Sequence, residues 1–160
     1  MAEFFAEFKV YIIFLHVISA VIWVGGMVAI RFAAHQSFMR IESPAHRLER
    51  IAHTLKRLFT IVAPFVIILF ITAPIMVIGY SLSQSDLTLY YHAKEGILTI
   101  MAINFFIMIL KRNRAVKLLN EGDMVGAKSA LEFIGKYMVP LNIILGITAI
   151  FLGTTLSSYL

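Results

Sequence analysis

The chain has 160 residues, of which 60% are hydrophobic and 14% charged, with a mean hydropathy of +0.87. A soluble domain of this size is about half apolar, so the composition excludes a water-facing globule and makes the membrane the solvent. The absence of cysteine excludes disulfides, thiolate metal sites and cysteine redox chemistry, and the formal charge of +5 has to be read from where the bases lie.

Four apolar stretches, 10–34, 58–80, 87–110 and 138–156, are each near or above the ~20 residues that a helix rising ~1.5 Å per residue needs to cross ~30 Å of hydrocarbon. They predict an all-α integral membrane four-helix bundle, a single domain with helices at about 9–41, 44–81, 87–120 and 124–157 and with helical extensions on the cytoplasmic side.

The first segment opens with Glu3 and Glu7 rather than a basic region, and no small-residue cleavage pattern follows its apolar run. It reads as a retained helix rather than a secretory signal. Ser43 then Pro44 has the form of an N-cap followed by the first helical position, which starts the second helix well before the bilayer. Pro64 and Pro74 should kink that helix without breaking it. The third helix should run to about Asn120, with Gly122 as its C-terminal cap and Asp123 as N-cap of the fourth. Pro140 should kink the fourth helix where it enters the bilayer.

Basic residues sort by connection. Arg31, Arg40, Arg47, Arg50, Lys56 and Arg57 flank the first, and Lys111, Arg112, Arg114, Lys117, Lys128 and Lys136 flank the third. The second, 81–86, has an acid and no base. The positive-inside rule therefore puts connections one and three in the cytoplasm and both termini outside, in a bacterial-type inner membrane, and it accounts for the positive charge without a nucleic-acid partner. Tyr11, Tyr80, Tyr90, Tyr91 and Tyr159 would then lie in the outer interface, where amphipathic rings prefer to sit.

Ionisable side chains inside a span cost roughly 2.5 to 3.5 kcal/mol at the bilayer centre on insertion scales, so each calls for a reason. Arg31 and Lys111 lie where helices reach the cytoplasmic interface and can snorkel. His16 lies about two turns inside the first helix and is too short to do so. Trp23, seven residues on, shares its face with Ser19, Ala20 and Met27, and the small residues leave room for a flat macrocycle beside the backbone. The alternative for His16 is an interhelical hydrogen bond, with Thr148 or Asn104 as partner. Gly25, Ala29 and Ala33 form a small-residue stripe on the opposite face, read as helix–helix packing.

On the third helix His92 and Lys94 enter about one turn inside the tyrosine belt, near the depth of His16. Lys94 could pair a haem propionate and His92 could bind iron or a propionate. Alternatively, Lys94 pairs with Asp86 or Glu95 and His92 is merely interfacial. His35 and His53, flanking the first connection, are candidates for a second haem or metal site. Asn104 and Asn142 read as interhelical glue.

Leu15-His16-Val17-Ile18 through Trp23-Val24-Gly25-Gly26, then Arg57-Leu58-Phe59 with Pro64, then His92-Ala93-Lys94, resembles the HemJ family of membrane protoporphyrinogen oxidases and the wider CopD-like haem-binding membrane proteins. The resemblance spans roughly residues 9 to 155. It implies a b-type haem in the bundle, with His16 as iron ligand and Lys94 as a functional residue. It also implies oxidation of protoporphyrinogen IX to protoporphyrin IX, with electrons passed toward the respiratory chain. The competing classes are a small metal-ion transporter or permease component using His16, His92 and the methionines, and a structural subunit of a respiratory complex. A homo-oligomer is compatible with each. The eight methionines form no Met-x-x-Met run and read as adaptable packing.

The orientation is checked by placing a single cysteine in this cysteine-free chain. Ser83→Cys should react with an impermeant maleimide added outside the cell, and labelling only from the cytoplasmic side would overturn the assignment.

Overall fold

The computed structural model describes residues 2–81 and 88–159. The second connection, 82–87, where Asp86 falls, lies outside the described residues. Four long helices follow in chain order. The first, α1, is α-helical over Ala2–Ala29, π-helical over Ile30–Ala34 and α-helical again over His35–Met39. Next come α2 over Pro44–Gly79 and α3 over Thr88–Asn120, and α4 joins Met124–Phe133, a π-helical turn over Ile134–Met138, and Val139–Ser157. Each is long and apolar enough to cross a membrane. Large apolar side chains such as Val10, Phe14, Ile67, Ile103, Phe106, Ile144 and Phe151 face outward. Outside a bilayer that belt would be an aggregation surface; the chain is a multi-pass membrane four-helix bundle.

Helix ends follow local chemistry. Ser43 caps α2 by accepting the His46 N–H, with Pro44 supplying a φ already suited to the first turn. Arg47 folds back so that Nε and Nη2 donate to the Ile41 carbonyl at 3.0 and 2.6 Å, which ties down the connection before the helix. Gly122 takes φ +82°, a left-handed conformation that glycine enters without a Cβ penalty. The Asp123 and Gly122 N–H groups donate to the Leu118 and Leu119 carbonyls at 2.9 and 3.1 Å, closing α3 in a Schellman motif. Asp123 Oδ1 then accepts the Gly126 N–H at 2.8 Å and opens α4. Helix α2 runs unbroken through Pro64 and Pro74. Pro140, which has no N–H to give to the Lys136 carbonyl, directly follows the π-helical turn, where the widened winding takes up the misfit.

One boundary differs from the sequence expectation. Helix α1 begins at Ala2, not near residue 9, because Phe5 is buried against Gly79 and packs edge-on to Tyr80 at 4.9 Å. The first two turns are thereby held against the end of α2 rather than left to fray.

The helices form a ring in which α1 and α3 each pack between α2 and α4. At mid-depth Phe105 meets both Trp23 and Phe59 edge-on, at 5.8 and 5.3 Å. With Met27, Val62 and Met108, all fully buried, these rings make a solid layer across the bundle. Asn104 Nδ2 donates to Asn142 Oδ1 at 2.8 Å and to the Met138 carbonyl at 2.9 Å, clamping α3 to α4 beside that layer. Near the base-rich end of the bundle Arg112 Nε donates to the Ala52 carbonyl at 2.9 Å, tying α3 to α2. The stripe of Gly25, Ala29 and Ala33 does not pack against another helix of this chain. It faces outward, and a Cβ on Gly25 would meet nothing within 4 Å.

The Asn104–Asn142 pair should show a coupling of about 0.6 kcal/mol, and no more than ~1.7, in a double-mutant cycle of alanine variants measured by unfolding in detergent. Asn104→Ala should cost more than Asn142→Ala, because it removes both bonds.

Candidate functional site

Above the aromatic layer, toward the tyrosine-bearing end, the four helices diverge around a cavity of about 350 Å³. Helix α1 contributes Ile13, His16, Val17, Ala20, Trp23 and Val24, a single helical face repeating at three and four residues. Small residues on the other helices, Ala73, Ala149, Gly146 and Gly153, give the space its width. Val24 lies where a Cβ on Gly146 would be, so this glycine is what lets α4 approach α1 closely.

His16 is buried, with Nδ1 2.9 Å from Thr72 Oγ1 on α2. The single hydroxyl proton of Thr72 is directed at the Ile68 carbonyl, 2.8 Å away, in the usual bond back along its own helix. With that proton spent on Ile68, Oγ1 accepts from a protonated Nδ1, and in that tautomer Nε2 keeps its lone pair. Among the described residues Nε2 has no hydrogen-bond partner, and the imidazole is part of the cavity wall. The interhelical hydrogen bond given as the alternative for His16 is therefore present, with Thr72 as its partner rather than Thr148 or Asn104. Thr148 bonds back to Ile144, and Asn104 is committed to α4. Thr72 drew no attention in the sequence. Its signal was a hydroxyl in the middle of a span, two residues before Pro74.

Lys94 is the second polar group of the cavity. Its Nζ reaches across to α4, 2.8 Å from where a Cβ on Gly153 would stand, so a side chain there would collide with the ammonium. Among the described residues it forms no ion pair. Glu95 is turned instead toward His92, with Nδ1 to Oε2 at 3.6 Å.

The other sequence candidates separate. His92 is not in the cavity wall; its side chain is 57% exposed and stacks on Tyr91 at 4.0 Å. Positions 92 and 94 differ by two residues, about 200° around a helix, so both cannot face one cavity. His35 and His53 do not converge either. His35 borders a second cavity at the opposite end of the bundle, whereas His53 is exposed on another face. Ser19 is buried with its hydroxyl donated to the Leu15 carbonyl at 2.6 Å, and Met27 belongs to the packed layer. Trp23 forms part of the cavity floor, 1% exposed, and its indole N–H has no partner among the described residues.

Among the described residues no three His, Asp or Glu side chains cluster as a bare metal ion requires. A lone imidazole beside an apolar space does suit a metal already held by its own macrocycle.

No family model, curated protein or solved structure matches this chain.

Thr72→Val keeps the shape of the side chain but leaves the His16 Nδ1–H facing a methyl group. It should lower unfolding stability in detergent by about 1–3 kcal/mol, with Thr72→Ser recovering most of the loss.

Proposed function

We propose that the protein is a haem b-binding redox protein of the membrane, similar in kind to the HemJ proteins, with one haem in the outer cavity. The observation that carries this reading is the His16–Thr72 contact on the cavity wall: with Nδ1 engaged by Thr72, Nε2 is the ring nitrogen left to the apolar space, the arrangement an axial imidazole needs. Lys94, which forms no ion pair among the described residues, would supply a cation for a carboxylate of the porphyrin, and the apolar lining excludes water from around it. A bound haem would supply one-electron chemistry, which is what oxidation of protoporphyrinogen IX to protoporphyrin IX and transfer toward a respiratory-chain acceptor require.

In this reading both termini and the cavity lie on the outer side of a bacterial-type inner membrane, with the basic helix ends in the cytoplasm. The packed layer of Trp23, Phe59, Phe105, Met27, Val62 and Met108 closes the bundle at mid-depth, which argues against a metal-ion permease. The haem count is one. His35 and His53 are too dispersed to serve as a second axial pair.

Pyridine haemochrome analysis of purified protein should give one haem b per chain, and no haem after expression with haem supplied would overturn the proposal. His16→Ala should abolish stoichiometric haem. Thr72→Val should weaken haem affinity roughly 10-fold while retaining the ligand. Lys94→Met should lower haem retention and Lys94→Arg should restore part of it, since arginine keeps the charge but changes donor geometry. Wild-type haem occupancy and midpoint potential in Lys94→Met would remove Lys94 from the site.

A further inference from the structure

The cytoplasmic end of the bundle holds a second, larger cavity, about 580 Å³, between α1, α2 and α4. Its floor is apolar and well packed: Leu48, Leu131, Ile134 and Val139 are all buried. Its rim is cationic, with Arg31 and His35 from α1, Arg47 from α2, and Lys128 and Lys136 from α4. Glu132 is the one acid in the wall, and Lys128 lies 3.6 Å from it. Arg47 spends two of its donors on the Ile41 carbonyl, whereas Arg31 has no hydrogen bond or ion pair among the described residues.

A second, independent feature coincides with this place. Both π-helical turns border it: Ile30 and Arg31 belong to the turn in α1, and Ile134, Gly135 and Lys136 to the turn in α4. Such turns are rare, weaken the backbone ladder, and occur mostly where a helix is reshaped for a task. Pro140 explains a misfit in α4, but no proline follows the turn in α1. Among the described residues these two widened turns line the same cavity.

We propose that this cavity is a binding site for the phosphate headgroup of an anionic glycerophospholipid from the adjacent leaflet. An apolar floor beneath a rim of bases at the level of the membrane interface matches an amphiphile with a phosphodiester head and acyl tails. Arg31, the unpaired guanidinium, is its principal phosphate contact. This assignment is independent of the haem site at the other end of the bundle.

Gly135 provides a test that leaves the fold intact. It lines the cavity, and a Cβ there would meet nothing within 4 Å, so Gly135→Leu projects a branched apolar side chain into the site while improving helix propensity. Purified protein in neutral detergent is titrated with phosphatidylglycerol, phosphatidylcholine and inorganic phosphate, with binding read by native mass spectrometry and by thermal shift. Phosphatidylglycerol should bind and raise the unfolding temperature, and neither phosphatidylcholine nor inorganic phosphate at equal concentration should do so. Gly135→Leu should abolish the effect, and Arg31→Gln should weaken it roughly fivefold. Three results would overturn the proposal: equal stabilisation by phosphatidylcholine, a phosphatidylglycerol effect untouched in both variants, or inorganic phosphate reproducing the whole shift. Haem lost from the wild-type protein on Gly135→Leu, with phosphatidylglycerol binding unchanged, would reassign the cavity to a second haem.

Discussion

The bundle is governed by the absence of water at its centre. Within hydrocarbon every polar group must be answered by another part of the protein, and nearly all of them are. Thr54, Thr60, Thr72, Thr99 and Thr148 each bond back to a carbonyl one turn earlier, Ser19 does the same, and the two mid-membrane asparagines bond to one another. Against that background the groups left unanswered acquire meaning. Among the described residues Nε2 of His16, Nζ of Lys94 and the Trp23 indole N–H are such groups and border one cavity, and Asn142 Nδ2 is another in the packed core. The haem proposal uses the imidazole for iron and the ammonium for a propionate.

The two ends of the molecule solve different problems on either side of one packed layer. At the tyrosine-bearing end the helices spread around small residues, leaving a space that is apolar apart from His16, Lys94, Glu95 and the polar tips of a few further residues. At the base-rich end two changes of helical winding border a space rimmed by bases. Since Phe105 contacts both Trp23 and Phe59, the layer is braced by α1, α2 and α3 together, and neither cavity can collapse into the other.

The spans, the Ser43 and Asp123 caps, the Gly122 turn and the uninterrupted passage of α2 through two prolines were legible in the sequence because each follows from a few neighbouring residues. His16 and Lys94 were legible because ionisable groups in apolar runs are conspicuous. What depends on rotation about the helix axis was not. Periodicity gave α1 two faces without saying which met the other helices of the chain, and the Gly25 stripe, read as helix–helix packing, lies on the outward one. His92 and Lys94 were placed together although two residues separate them by more than half a turn. The Thr72 acceptor could not be read at all, since a partner 56 positions away is set by helix packing. The early start of α1 was hidden for the same reason, because Phe5 is buried only by its contact with the far end of α2.

Trp23 is the sole tryptophan, and it stands in the floor of the outer cavity with no solvent contact and no hydrogen bond among the described residues. The molecule thus has an intrinsic fluorophore at its most informative point. Indole emission from so dry an environment lies toward the blue. Energy transfer from that indole to any chromophore lodged above it would dim the signal with no label attached, so occupancy of the cavity can be followed in intact membranes by the protein's own light.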